Sequence, residues 1–258
     1  MRSLFRRRRS GLAALALAAG TALSGAALTP SASAETVPAF GFDKCPALPS
    51  GADPTWWNCN VAIITGGRFT LGALDQAITS PITLTYAVGF APVTLEQKVI
   101  VGGFQADKML VRPGVFGDPI FTAVYARPEY AGFMDLQNGD VLLNLKVKVI
   151  NPNLGPYCSI GSTGDPIRLH LTIGTTSPPP PNQPISGSPP ADVSTDPLVF
   201  KLRLVDKAFA VPGSSGCGPG GLFDGIVDWR AGLPAKAGTN TVVFDQYLAS
   251  TAYTDLPA

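Results

Sequence analysis

Only one histidine occurs in the whole chain, and that scarcity removes several chemistries at once. It is His170, alternating with Arg168 and Thr172 in a strand-like stretch, which is the pattern of a solvent-facing position. A serine hydrolase needs a base held between a nucleophile and an orienting carboxylate, and a lone exposed histidine is a poor start. The nucleophile elbow G-x-S-x-G is missing too; Gly213-Ser214-Ser215-Gly216 lacks its spacing and follows no α/β pattern. No C-x-x-C pair exists, and a single histidine cannot complete a zinc set. The sequence holds no phosphate-binding P-loop and no EF-hand loop, and Gly216-Cys217-Gly218-Pro219-Gly220-Gly221, though spaced G-x-G-x-x-G, belongs to no βαβ pattern. No catalytic triad, metal or cofactor is therefore expected. After residue 34 there is also no apolar run long enough to span a bilayer.

What is present begins with a leader. Arg2 and Arg6, Arg7, Arg8 and Arg9 form a basic start, residues 11–28 are apolar and uncharged, and Ala32-Ser33-Ala34 precedes Glu35. This reads as a cleaved secretory signal over residues 1–34; glycines, Thr21 and Ser24 make the apolar run a poor spanning helix. The arginine run is compatible with general or twin-arginine export. Cleavage leaves 224 of the 258 residues, enough for a single domain over 35–258, or two halves meeting near 151–157. Five of the 19 Lys+Arg lie in the leader, so 14 remain against 18 Asp+Glu, a net charge of −4. A mildly acidic exported chain has no footprint for nucleic acid or anionic lipid. All four cysteines survive processing, and an even number in an exported chain implies two disulfides. Of three possible pairings we favour the sequential one, Cys45–Cys59 with Cys158–Cys217.

Residues 35–60 are irregular and proline-rich, ending in Trp56-Trp57-Asn58-Cys59. Adjacent tryptophans on an extended chain face opposite ways, so at most one is core. The other is a stacking platform for a sugar or a partner, or packs against the Cys45–Cys59 bridge. From Val61 short alternating runs follow: 61–64, 68–71, 82–88, 93–101, 120–125 and 141–150, with an Asn138-Gly139 hairpin turn before the last. In that last run Leu143, Leu145, Val147 and Val149 form a dry face, and Asn144, Lys146 and Lys148 a wet one. The organising stretch is 157–205, where strands at 167–173 and 198–205 flank the stiff connector 177–184 and suggest one piece of antiparallel sheet. Residues 222–231 have helical spacing, with Gly232 to cap them and Pro234 to stop them. A last strand covers 241–248. The expected class is all-β, an antiparallel β-sandwich (immunoglobulin-like or jelly-roll-like) with one short C-terminal helix.

Three close acid pairs, Asp135/Asp140, Asp192/Asp196 and Asp224/Asp228, read as solvated turn and helix acids. Arg168 and His170, with Lys201 and Arg203 as neighbours, make a candidate binding surface, and Trp56 and Trp57 another. Tyr157-Cys158-Ser159-Ile160-Gly161-Ser162, then Leu171-Thr172-Ile173-Gly174-Thr175-Thr176-Ser177-Pro178-Pro179 and Pro184-Ile185-Ser186-Gly187, resemble a group of secreted actinobacterial proteins. The likeness runs from the Cys45-Pro46 region through Gly216-Cys217-Gly218 to Leu233-Pro234. It implies export beyond the membrane and assigns no catalytic residue. The expected function is a non-catalytic extracellular or cell-envelope module, structural or binding, whose partner is an envelope polymer or another secreted protein. The alternative is a carboxylate-based hydrolase of an extracellular polymer, which would show two convergent acids in a cleft lined by aromatics.

Overall fold

A computed structural model describes residues 36–111 and 123–256. The expected leader over 1–34 lies outside them, as does the start of the expected 120–125 strand. In chain order the strands are β1 (Trp57–Leu71), β2 (Leu74–Ala77), β3 (Ile82–Phe90), β4 (Gln97–Ala106), β5 (Met109–Leu110), β6 (Tyr125–Gln137) and β7 (Asp140–Ile150). There follow β8 (Ser159–Ile160), β9 (Ile167–Leu171), β10 (Ser188–Thr195), β11 (Leu198–Asp206), β12 (Ser214–Ser215), helix α1 (Asp224–Ala231) and β13 (Thr241–Ala252). The strands form two antiparallel sheets, so the all-β sandwich with one short helix near the C-terminus is what the chain adopts. One sheet runs β10-β11-β13-β1-β3-β4 with β2 beside β1; the other runs β12-β8-β7-β6-β5 with β9 beside β7. Val37–Ala258 holds together as one unit by its own contacts.

Alternation explains most of this packing. In β7 the buried residues are Leu143, Leu145, Val147 and Val149, and the residues between them are half-exposed. They meet Ala62 and Ile64 of β1, Ile82 and Leu84 of β3, and Val242 and Phe244 of β13 in one continuous core. Strand β1 departs from alternation, with every residue from Cys59 to Ile64 buried. The reason is a second cover. On the outer side of the seven-stranded sheet Phe40 and Phe42 pack on Val199, Tyr247 and Ala249. Tyr253 Oη donates to the Pro46 carbonyl at 2.7 Å, and the Cys45–Cys59 bridge ties the same segment to β1. A central strand covered on both faces reads as an unbroken apolar run, and Val61-Ala62-Ile63-Ile64 is that run.

The turn at Asn138-Gly139 has positive φ at both residues, 53° and 87°, as a two-residue hairpin of this hand requires. The organising stretch turns out differently. Strands β9 and β11 lie in different sheets, and residues 172–187 carry the chain across; Thr172 and Val205 form the bridge where the two meet. Between them lies β10, which the sequence reading missed. Pro189 and Pro190 hide it, and an edge strand with two breaks of register is where a sheet accepts proline. The strand expected at 93–101 starts at Gln97 instead, because residues 91–96 form the β3–β4 turn, closed by Ala91 N–H to the Glu96 carbonyl at 2.9 Å. Residues 151–157 join β7 to β8 within one sheet.

Candidate functional site

The pairing of β7 gathers polar side chains on the outer face of the six-stranded sheet. Across from β7, Lys148 faces Arg127 and Lys146 faces Glu129 on β6, while Asn144 faces Arg168 and Leu142 faces His170 on β9. The wet faces expected for these strands are thus one surface. Glu129 accepts from Arg127 Nη2 at 2.7 Å and pairs with Lys146 Nζ at 3.7 Å. His170 keeps its ring in solvent, with Nε2 2.8 Å from Asp140 Oδ2. Behind it the carboxylate of Asp206 accepts the backbone N–H of His170 and of Ala208, both at 2.7 Å. Burial pushes the Asp206 pKa up, and those amides, with the His170 charge, pull it only part of the way back. Lys201 and Arg203 do not neighbour this surface. They lie on β11 in the other sheet, where Arg203 Nε donates to Asp245 Oδ1 at 2.6 Å.

Toward one end of the face lies a groove of about 700 Å³ lined by Lys108, Tyr125, Arg127, Lys148, Ile150 and Pro156. The Lys108 ammonium sits 4.7 Å from the Tyr125 ring centroid. A second groove of about 770 Å³ runs between β4 and β6, with Asp107, Arg127, Glu129 and Tyr130 on its walls. Asp107 and Glu129 are far apart in sequence, so no spacing rule could have paired them. Among the described residues no group of three or more His, Cys, Asp and Glu is placed to hold a metal ion.

The two adjacent tryptophans separate as alternation requires. Trp57 is buried, with the ring lying where any side chain on Gly89 would have to go, and its indole Nε1 has no hydrogen-bond partner among the described residues. Trp57 is therefore a core residue, not part of a binding surface. Trp56 is 60% exposed and meets Phe90 edge-on at 6.1 Å, beside a turn that exposes Val93 and Leu95. A second exposed apolar group surrounds α1: Leu222, Ile226 and Trp229, the last 74% exposed with the Arg230 guanidinium 4.7 Å from its ring centroid. Ile226 and Trp229 are three residues apart and share a helix face. Tyr157 is also exposed, and its backbone runs close against Gly216.

Of the acid pairs, Asp224 and Asp228 do more than the solvated helix acids expected. Asp224 Oδ1 accepts Cys217 N–H at 2.7 Å, and Asp228 Oδ1 accepts Ser214 N–H at 2.6 Å. These helix acids hold the glycine-rich loop, whose amides have few strand partners. Asp135 accepts from Leu136 N–H and Gln137 Nε2, both at 2.9 Å, a local turn role. Asp192 and Asp196 both belong to the β10–β11 hairpin. Both expected disulfides are formed, Cys45–Cys59 and Cys158–Cys217. No helix among the described residues is long and apolar enough to cross a membrane. No protein-family model, curated protein or solved structure matches the chain.

Proposed function

We propose that this chain is an exported, non-catalytic β-sandwich that binds a cell-envelope polymer or another secreted protein, in keeping with its resemblance to secreted actinobacterial proteins. The observation that carries the reading is the grouping of exposed aromatic and aliphatic side chains, Trp56 with Phe90 and Trp229 with Ile226 and Leu222, on a doubly stapled sandwich. Scattered apolar side chains are ordinary on a surface, but grouped ones rimmed by polar residues mark contact sites. Export is supported by the leader pattern and by two disulfides, which persist in oxidising compartments. The test is retention of the oxidised protein on isolated wall and polysaccharide fractions, with denatured protein as control. Trp56→Ala and Trp229→Ala are expected to lower retention severalfold, the usual effect of removing an aromatic anchor.

One observation favours the hydrolase reading. Asp107 and Glu129 line one groove together with Tyr130. Against it, Glu129 already has Arg127 and Lys146 as partners. Release of soluble product from polymer by the intact protein, abolished in Glu129→Gln and in Asp107→Asn, would establish catalysis.

A further inference from the structure

We infer that the groove on the outer face of the six-stranded sheet binds an acidic polysaccharide, one whose pyranose rings carry carboxylates. This rests on the envelope-binding reading and names the chemical class of a ligand. Three cations, Lys108, Arg127 and Lys148, stand around one cleft of about 700 Å³. Arg127 and Lys148 are direct cross-strand partners, and like charges placed so destabilise a sheet. Glu129 relieves Arg127 alone from its near side, at 2.7 Å, and shares its other oxygen with Lys146. Lys148 has no ion pair among the described residues, which leaves it a cation of the cleft that an anionic ligand can meet. Residues 35–258 carry a net charge of −4, which leaves this face as a local exception to the charge of the whole. An anionic polymer is repelled elsewhere and drawn here.

The floor sets the rest of the ligand's chemistry. Tyr125, Ile150, Pro152 and Pro156 line the same cleft, offering flat apolar patches beside the charges. A sugar ring presents a C–H face to such a floor and its carboxylate to Lys148 and Arg127. Beyond the cleft Lys146 and Arg168 continue the cationic line across β7 and β9, so a chain of such sugars finds further partners in register.

The experiment titrates the oxidised protein with polygalacturonate, neutral dextran and a single-stranded DNA oligomer at several salt concentrations. Polygalacturonate is expected to bind, with affinity falling steeply as salt rises, and dextran not to bind. Lys148→Glu is expected to weaken binding roughly tenfold or more, and Lys148→Arg to restore it. Lys98→Glu makes the same change in net charge at an exposed site on β4 of the other sheet and should alter affinity less than about twofold. Thermal melting of each variant confirms that it folds. Equal losses in Lys148→Glu and Lys98→Glu, equal binding of dextran, or tighter binding of DNA than of polygalacturonate would overturn the proposal. Wall retention that depends on Trp229 but not on Lys148 would sink this inference alone; no retention on any wall fraction would sink the envelope reading itself.

Discussion

At Gly89 the absence of a side chain is what lets Trp57 lie flat and buried across β3. Gly89→Ala forces the indole or the strand to move, and overpacking of this kind costs about 1–3 kcal/mol. Urea unfolding should show that loss. The sequence made it legible that Trp56 and Trp57 face opposite ways, because a strand alternates. Which of them is core was not legible, since the answer depends on a glycine more than thirty residues away. Asp206 supplies a second residue-scale prediction. Burial raises its pKa in the folded state, so between the unfolded value of about 3.9 and the folded one the native protein binds the extra proton. Its contribution to stability is therefore full below the unfolded value and lost as pH rises through the folded value. The difference in unfolding free energy between the wild type and Asp206→Asn, followed over a pH series, should fall with rising pH through that window.

Among the elements, α1 and the loop before it act as a pair. Asp228 and Asp224 at i,i+4 reach back to the amides of Ser214 and Cys217, which places the second disulfide against the helix start. Asp228→Ala should cost about 1–3 kcal/mol, the penalty for a hydrogen bond lost at a half-buried amide, with amide exchange at Ser214 as its local readout. Helical spacing, the Gly232 cap and the Asn138-Gly139 turn were all readable, because each rests on local backbone geometry. Strand β10 was not, since its prolines argue against a strand and only its place at a sheet edge permits it. The separation of β9 from β11 into different sheets was likewise hidden. Alternation tells which residues face a core, not which sheet contributes them. The same limit explains Lys201 and Arg203, correctly seen as wet but assigned to the wrong face, and the meeting of Arg127 with Lys148, which only register reveals.

Over the whole molecule, two sheets share one core, and two bridges hold the parts that the sheets do not. The 14-residue separation of Cys45–Cys59 fixes the N-terminal cover, and the 59-residue separation of Cys158–Cys217 fixes the loop before α1. On chain-entropy grounds these contribute about 3 and about 4 kcal/mol. Replacing both cysteines of the longer loop by alanine should therefore lower unfolding stability more than the same change at the shorter one, as read by guanidinium titration. Such stapling leaves the exposed aromatic groups, the proposed contact sites, on a rigid frame. The most direct measurement is retention of the folded, oxidised protein on isolated cell-wall material, set beside Trp56→Ala, Trp229→Ala and the denatured chain. The expected result is selective retention of the folded wild type and a severalfold loss in at least one tryptophan variant. Equal retention of folded and denatured protein, or none of either, would contradict it.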